Sequence, residues 1–511
     1  MRRAGGVRLT GLCGALLATM MAQARAGDQE IRLPATDSHF GPVKDYVEAV
    51  PEPDYRHAPK AAVEAFKDIK YGVRIHWGLY SRAFEGGESW PFLELPLAGK
   101  QQYQEAYKTW NPRGFDAEEW MRLFRESGLR LFAFTTKHHD GFSMFDTRTR
   151  VRRRADWAAE GGPRLEDCDL AYSIAETPFG RDVVRELCDA ARRHDVKIDL
   201  YFSHPDWYDA DFRPYGFSPI TTRGATERPE LYGRAPFTQR ARDFFLTAPE
   251  PTAEEEIRMM ARHREQLVEL LTRYGRIDLL CLDMWLGARA WPRLRDTIKL
   301  IRTLQPDVML RARGIGNYGD YYTPEGFVPG SRENTAMPWF VIYPLGRSFS
   351  YEPDPARHKG GAWIIRNLVD AVAKGGAFMV GVGPDADGRF HPTAIANLKE
   401  AGAWLRVNGE AIYATRPRDG DLWHEGDKIR YTRSKDGRLV YAVALEWPGL
   451  HLTLAGVRPA AGSPVTMLGL TEPLPWTQAG NGVSIELPKG LEDPARRPCA
   501  TAWVFRIQTA R

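Results

Sequence analysis

The chain has few cysteines, little net charge and no long apolar segment beyond its start. Only 5 of its 511 residues are cysteine, and no pair has the C-x-x-C spacing of zinc sites, although a disulfide remains open. The formal net charge is +4, from 70 basic and 66 acidic residues, which gives no basic footprint for nucleic acid. After residue 26 no segment is long and apolar enough to cross a membrane.

The first 26 residues have the pattern of a secretory signal peptide. Arg2 and Arg3 precede a short apolar run at 9–22, and an A-x-A sequence at 24–26 follows it. Because this run is too short for a membrane span, the pattern predicts cleavage after Ala26 and export. The sequence does not distinguish a periplasmic from an extracellular destination.

Apolar runs alternate with amphipathic helical segments between residue 69 and about residue 385, which is typical of βα units. Helices are predicted at 181–194 and 362–374, and at two start signals, Asp116 with Glu119 and Thr252 with Glu255. The segment 320–356 is irregular and gives no clear strand. The predicted strands are 71–77, 129–137, 196–203, 277–284, 308–313 and 378–383.

After about residue 417 the pattern changes to short alternating runs with Gly and Pro between them, which indicates an antiparallel β-domain. The fold class is therefore α/β, with a TIM-like (β/α) barrel followed by a β-sandwich. The predicted divisions are a signal peptide at 1–26, a lead-in segment at 27–65, the barrel at 66–417 and the C-terminal β-sandwich at 418–511.

Polar and aromatic side chains follow five successive predicted strands. The C-terminal ends of barrel strands are where reactive residues lie. These ends hold His76, the pair His138 and His139, the segment 201–207, Asp283, and Arg313. Each one alone has a structural interpretation, such as a buried core histidine or a helix N-cap aspartate. Packing does not explain all five together.

The sequence does not predict a metal ion or any other cofactor. Metal-dependent barrel hydrolases commonly place two histidines one residue apart after the first strand, and Gly78 stands where the second would be. His138 and His139 are adjacent, so strand alternation is expected to point them to opposite faces, where they could not easily chelate one ion.

Seven segments between residues 66 and 417 form a more specific pattern, in which K-H-H-D-G-F and V-G-P-x-x-D-G stand out. The segments are 71–81, 136–142, 180–182, 201–207, 374–376, 382–388 and 404–413. Together they resemble family 29 of the glycoside hydrolases, the α-L-fucosidases. The resemblance implies retaining hydrolysis of terminal α-L-fucosyl residues from oligosaccharides or glycoconjugates, through a covalent fucosyl-aspartate intermediate.

The resemblance also implies roles for individual residues. The nucleophile is Asp283, which closes the fourth strand, and the acid/base is Glu325, which lies in a T-P-E segment. Glu333 and Glu352 remain alternatives because the position of the acid/base varies within the family. The motif that carries the tryptophan departs slightly from the family pattern, because Ser89 is inserted between Glu88 and Trp90. The implied substrate-binding residues are His76, Trp90, His138, His139, Tyr201, Trp285 and Arg313.

The physical requirements of the reaction agree with these roles. Retaining glycosidases need two carboxyl groups about 5–5.5 Å apart. Arg313 and the histidines suit a nucleophile that must stay ionised. The acid must hold its proton near neutral pH, so a raised pKa is expected for Glu325. Phe142 or Phe340 is expected to form an apolar wall for the C6 methyl group of fucose.

Two other functions remain open at this stage. A fucose-binding relative that has lost catalysis would keep the histidines, and a barrel glycosidase could act on another sugar. The sequence does not indicate which linkage is cut, because that depends on variable loops such as 208–250. It does not indicate the oligomeric state either.

Overall fold

The structure, a computed structural model, describes residues 33–35, 37, 39–84, 86–212, 252–331 and 337–509. In chain order, the strands are β1 (Tyr71–Ile75), β2 (Leu131–Lys137), β3 (Val151–Asp156), β4 (Arg164–Leu170), β5 (Lys197–Ser203), β6 (Leu279–Asp283), β7 (Met309–Leu310), β8 (Phe340–Pro344), β9 (Ala377–Gly381), β10 (Arg416–Pro417), β11 (His424–Glu425), β12 (Ile429–Arg433), β13 (Leu439–Ala444), β14 (His451–Leu454), β15 (Val465–Met467), β16 (Trp476–Ala479), β17 (Gly482–Glu486) and β18 (Trp503–Gln508).

The helices are α1 (Phe40–Val43), α2 (Lys60–Ile69), α3 (Tyr80–Ala83), α4 (Leu97–Glu105), α5 (Ala117–Glu126), α6 (Val183–Arg193), α7 (Ala253–Arg273), α8 (Trp291–Leu304), α9 (Gly361–Ala373) and α10 (Pro392–Asn408). Thr252 forms a complete capping box with Glu255 at the start of α7, whereas Asp116 caps α5 with its own side chain. Within the described residues, no helix is both long and apolar enough to span a membrane.

Seven strands form one parallel sheet in the order β7-β6-β5-β2-β1-β9-β8. All six predicted strands occur in it, and each has fewer residues than predicted. The seventh, β8, lies in the irregular segment 320–356, where no strand was predicted, and it ends at Pro344, which cannot donate a backbone hydrogen bond. The charged hairpin of β3 and β4 was not predicted either.

A short segment at 321–325 closes this sheet into a barrel. On one side, Ala312 N donates to Tyr321 O at 2.9 Å, and on the other, Phe340 N donates to Tyr322 O at 3.1 Å. A single-residue bridge also joins Glu325 to Ile342. The segment thus takes the place of an eighth strand between β7 and β8. The predicted (β/α) barrel is confirmed, and Glu325 lies at the C-terminal end of the closing segment.

The interior of the barrel changes from apolar to charged along its axis. Inward residues of the strands and Phe66 of α2 pack together at the lower end. Above them, the thiol of Cys281 lies 3.1 Å from Arg74 Nη2 and 2.9 Å from Arg311 Nη1. Because side chains alternate along a strand, Asp283 points into the barrel one layer above Cys281. A charged layer therefore lies directly beneath the C-terminal strand ends.

The C-terminal region consists of two antiparallel sheets. One has six strands, β10 to β13 with β15 and β18, and the other has three, β14, β16 and β17. Both contribute to one apolar core, which includes Tyr431, Phe505 and Ile485. The predicted β-sandwich is therefore confirmed. It packs on the barrel helices, where Trp404 Nε1 of α10 donates to Ala502 O at 2.8 Å.

The described residues from 33 to 58, here called the N-terminal strap, lie across the loop that follows β7. Leu33 N donates to Asn317 Oδ1 at 2.6 Å, and Asn317 Nδ2 donates to Ala49 O at 2.6 Å. Tyr55 Oη donates to Tyr318 O at 2.5 Å. These long-range hydrogen bonds hold the loop and the strap together.

The possible disulfide does not occur in the described part of the chain. Each of the cysteines there is a free thiol, and Cys188 and Cys281 are buried within the barrel domain. The four free thiols are Cys168, Cys188, Cys281 and Cys499.

Replacing Trp404 with alanine is expected to lower the free energy of unfolding by about 3–5 kcal/mol, because it empties a buried site where the two domains meet. Trp404 is 3% exposed, whereas Leu422, at 49% exposed, serves as the control. Leu422→Ala is expected to change the free energy by no more than about 0.5 kcal/mol. Urea denaturation measures both, and equal effects would contradict the packing described above.

Candidate active site

A cavity of about 320 Å³ opens at the C-terminal end of the barrel. Most residues predicted at the strand ends meet there, although they are far apart in sequence. The predicted residues that line it are His76, Trp90, His138, His139, Tyr201, Asp283, Arg313 and Glu325. It is also lined by His39, Arg74, Glu88, Met284, Arg311, Ile342 and Phe349, which were not predicted as site residues.

Asp283 is a buried carboxylate at the end of β6 with several donors around it. Tyr201 Oη donates to its Oδ2 at 2.6 Å, and Arg313 Nη1 donates to its Oδ1 at 2.8 Å. Arg311 Nη1 lies 3.4 Å from Oδ1, and His139 Nε2 lies 3.8 Å from Oδ2. Burial raises the pKa of the Asp283 carboxyl, but Arg313 and Arg311 outweigh it and hold that pKa well below its usual range. Asp283 is therefore ionised, as predicted for a nucleophile.

Glu325 lies beside Asp283 because both carboxylates bind the same guanidinium. Arg313 Nη1 contacts Asp283, and its Nη2 donates to Glu325 Oε2. Arg311 Nη2 lies 3.7 Å from the same oxygen of Glu325. The shared arginine places the two carboxyl groups around one guanidinium, and a retaining glycosidase likewise needs two carboxyl groups close together.

The expected rise in the pKa of Glu325 does not occur. Burial raises the pKa of this carboxyl, but Arg313 and Arg311 outweigh it and hold the pKa below its ordinary value. The negative charge of Asp283 acts in the opposite direction and raises the pKa. The expectation was wrong because the sequence did not reveal that one arginine pairs with both carboxylates.

Glu88 is a further carboxyl group in the cavity, and burial raises its pKa to about 7. It is 7% exposed, and its Oε1 accepts a hydrogen bond from Ser350 N at 2.9 Å. Its backbone has a φ of 51°, which is uncommon for a residue with a side chain. Glu88 belongs to the tryptophan motif in the sequence, but nothing in the spacing indicated that its carboxyl group would be buried.

His76, His138 and His139 form a wall of neutral imidazoles. Burial lowers the pKa of His76 and His138 well below the ordinary value, and lowers that of His139 to about 4. Ser89, the inserted residue, places its Oγ 2.5 Å from His138 Nδ1. Neutral imidazoles both donate and accept hydrogen bonds, as sugar hydroxyl groups require.

The expectation that His138 and His139 point to opposite faces was wrong. Both line the cavity, and their ring centroids are 4.3 Å apart. Strand β2 ends at Lys137, so strand alternation no longer applies to the two histidines.

Within the described residues, no group of three or more His, Cys, Asp or Glu side chains is arranged to hold a metal ion.

Trp285 is not among the described residues that line the cavity. Its half-buried side chain packs against the main hydrophobic core, and Met284 lines the cavity in its place. Met284 has a φ of 64°, so the chain departs from extended geometry directly after β6, between Asp283 and Trp285.

The apolar wall of the cavity is not formed by Phe142 or Phe340. Phe142 packs in the core against Trp110, with ring centroids 5.9 Å apart. Phe340 points into the barrel one layer too low and packs against Phe66, with ring centroids 4.9 Å apart. Ile342 and Phe349 line the cavity instead.

Of the alternative acids, Glu352 is held within its own loop. Its Oε2 accepts from Arg347 Nε at 2.8 Å, and its Oε1 accepts from Asp354 N at 3.2 Å. Glu333 lies outside the described residues, as do residues 213–250 of the loop expected to govern linkage preference.

Four of the lining residues that were not predicted come from three places. Arg311 lies two residues before Arg313, so strand alternation could have indicated it. Ile342 and Phe349 belong to β8 and the loop after it, where no strand was predicted. His39 lies on the N-terminal strap, and no signal in the sequence connects it with the strand ends.

Comparison with known proteins agrees with this arrangement. Residues 49–410 match the family model described as alpha-L-fucosidase, and residues 425–508 match that of the alpha-L-fucosidase C-terminal domain. Tissue alpha-L-fucosidase of Bos taurus is 27% identical over 473 residues, covering 86% of this chain and 87% of that protein. The Homo sapiens tissue enzyme is also 27% identical, over 86% of this chain and 88% of that protein.

Solved structures show the same fold. Alpha-L-fucosidase isoenzyme 1 from Paenibacillus thiaminolyticus aligns with a TM-score of 0.69 and 25% identity, covering 88% of this chain and 99% of that chain. A Bacteroides thetaiotaomicron family 29 alpha-L-fucosidase, trapped as a covalent intermediate, has a TM-score of 0.69 at 22% identity, covering 90% and 98%. The match to the family model extends over most of the barrel domain and includes both carboxylates that share Arg313. This chain belongs to the α-L-fucosidase family of glycoside hydrolases.

Proposed function

We propose that this protein is a retaining α-L-fucosidase in which Asp283 is the nucleophile and Glu325 is the acid and base. One observation carries the proposal, namely that the guanidinium of Arg313 binds both carboxylates. A retaining mechanism needs one ionised carboxylate beside a second carboxyl group that exchanges a proton. The substrate class is a fucosylated oligosaccharide or glycoconjugate, as the names of the relatives support.

In the first step, Glu325 is protonated once the bound sugar shields it from water, and it donates that proton to the leaving glycosidic oxygen while Asp283 Oδ attacks the anomeric carbon. The attack forms a fucosyl ester and removes the negative charge of Asp283. That charge raises the pKa of Glu325 before the reaction, so its loss lowers the pKa afterwards. Glu325 therefore stays ionised at this stage and can accept a proton from the water that hydrolyses the ester, as the second step requires.

The fucose ring fits the chemistry of the cavity walls. His76, His138 and His139 supply neutral donors and acceptors for its hydroxyl groups. Ile342 and Phe349 supply an apolar surface suited to the C6 methyl group. These features favour a deoxy sugar over a sugar with a C6 hydroxyl group, which would leave that group without a partner.

Glu88 is the alternative acid, because burial raises its pKa to about 7 and it lines the same cavity. Glu325 is preferred because it is paired directly with the arginine that binds the nucleophile. The side chain of Glu325 is also 39% exposed, so it can reach the leaving group of a substrate that enters from solvent.

Export is also proposed, on the pattern of the first 26 residues. Arg2 and Arg3, the apolar run at 9–22 and the A-x-A sequence support cleavage after Ala26 and a secreted or periplasmic location. Residues 1–32 lie outside the described part of the chain.

Azide rescue of the alanine variants assigns both carboxylates. Asp283→Ala is expected to lose nearly all turnover of an aryl α-L-fucoside, and Glu325→Ala to slow about 10²–10⁴-fold. In Asp283→Ala, azide is expected to attack the anomeric carbon in place of the missing carboxylate and give β-L-fucosyl azide. In Glu325→Ala it should attack the fucosyl ester of Asp283 and give the α product. NMR of the product distinguishes the two anomers.

The same measurement with Glu88→Ala and Glu352→Ala provides the comparison. Neither variant is expected to yield fucosyl azide. An α-fucosyl azide from Glu88→Ala, with none from Glu325→Ala, would transfer the acid role to Glu88. No hydrolysis of any α-L-fucoside by the wild type would favour the fucose-binding alternative, and turnover of other aryl glycosides instead would favour a different sugar specificity.

Arg313→Met is expected to move the whole pH profile of kcat/KM to higher pH. The guanidinium lowers the pKa of Asp283 and of Glu325, so its removal raises both. A higher pKa of Asp283 shifts the acidic limb upward, and a higher pKa of Glu325 shifts the basic limb upward. Arg389→Met, whose side chain is 67% exposed, is the control. An unshifted acidic limb would show that Arg313 does not act on the nucleophile.

The proposed export predicts that the mature protein begins at Gly27. N-terminal sequencing of protein recovered from the periplasm or culture medium of a bacterial host checks this. A variant with Ala24 and Ala26 both replaced by Phe is expected to retain its leader, because the cleavage site requires small residues. Mature protein that still begins with Met1 would contradict the proposal.

A further inference from the structure

One side chain in the cavity comes from outside the barrel. His39 directly precedes α1 on the N-terminal strap and lines the cavity together with Met284, Arg313 and Glu325. It precedes residue 49, where the match to the α-L-fucosidase family begins. It is therefore an addition to the part of the site that the family match includes.

The strap is fixed at the loop directly after Arg313. Tyr46 Oη donates to Gly314 O at 3.4 Å. A β-carbon on Gly316, which has a φ of 51°, would lie 3.0 Å from Cγ1 of Val47, so the strap packs its side chains tightly against the loop backbone. Glu48 Oε2 accepts a hydrogen bond from Trp291 Nε1 of α8 at 2.8 Å. The cavity end of the strap thus has a fixed position relative to Arg313.

His39 is itself held by a carboxylate on the strap. Its backbone N donates to Asp37 Oδ1 at 2.8 Å, and its ring Nδ1 lies 3.5 Å from the same oxygen. Burial lowers the pKa of His39, as does Arg313, while Asp37 and Asp283 act in the opposite direction. A neutral imidazole carries one N–H donor and one acceptor nitrogen, and Asp37 orients the ring that faces the cavity.

The exposure of the lining residues separates the two ends of the cavity. His76, His138 and His139 are at most 6% exposed and form its deep wall. The side chains of Glu325 and His39 are 39% and 14% exposed, so they lie nearer the opening. If Glu325 is the acid, the leaving sugar must lie on its side of the cavity, because the acid protonates the glycosidic oxygen.

We infer that His39 binds the leaving sugar and is a specificity-determining residue that the N-terminal strap contributes to the barrel. This inference rests on the proposed function, since the position of the leaving sugar follows from the role of Glu325. It identifies the preferred substrate as a fucosyl oligosaccharide whose second sugar presents hydroxyl groups to the imidazole.

The test compares an α-L-fucosyl disaccharide with an aryl α-L-fucoside, whose aglycone lacks sugar hydroxyl groups. In His39→Ala, kcat/KM for the disaccharide is expected to fall about tenfold more than kcat/KM for the aryl fucoside, as for one lost hydrogen bond. His39→Gln, which keeps a donor and an acceptor, is expected to recover part of this difference. His39→Gln also allows the comparison of the two substrates if the alanine variant does not fold.

Tyr46→Phe is the matched control, because it removes a hydrogen bond of the strap without changing a residue that lines the cavity. It is expected to leave the ratio of the two kcat/KM values unchanged. If His39→Ala keeps the wild-type ratio of the two kcat/KM values, whether both values fall equally or neither changes, the inference is overturned and the proposed function stays intact. A wild type without activity on either fucoside would overturn both.

Discussion

The guanidinium of Arg313 between Asp283 and Glu325 is the interaction on which the site depends. Two adjacent carboxylates repel one another, and a buried pair without a cation would take up a proton. Arg313, with Arg311 behind it, holds the pKa of each carboxyl group below its ordinary value. In the proposed mechanism Asp283 is therefore ionised as the nucleophile, and Glu325 takes up its proton when bound substrate shields it from water beside the charge of Asp283.

The charged layer below the site explains how two arginines can be held inside a barrel. Arg74 and Arg311 flank the thiol of Cys281, and Arg74 Nη2 lies 3.9 Å from Asp199 Oδ2. Burial raises the pKa of Cys281 and raises that of Asp199 to about 6. Burying such charges costs stability, which the apolar core around the barrel offsets. The barrel therefore gives up some stability to fix the direction of Arg311.

The sequence predicted the parts of the site that follow regular strands. Asp283 and Arg313 lie at strand ends whose apolar runs are easily read, and all six predicted strands occur. What it could not predict depends on irregular backbone or on distant pairing. Met284 displaces Trp285 through a single φ of 64°, and His39 reaches the cavity through contacts with residues more than 200 positions away. Neither feature has a periodic pattern.

The closing segment at 321–325 has a consequence for how this site can vary. It joins its neighbours by single-residue bridges, whereas Asp283 stands on a five-residue strand paired on both sides. An insertion or deletion near Glu325 therefore shifts few hydrogen bonds, while one within β6 would shift the register of that strand against its neighbours. The proposed acid thus lies on the more adaptable part of the barrel, and the proposed nucleophile lies on the more regular part. This arrangement would allow the proton donor to change position while the point of attack on the sugar stays the same.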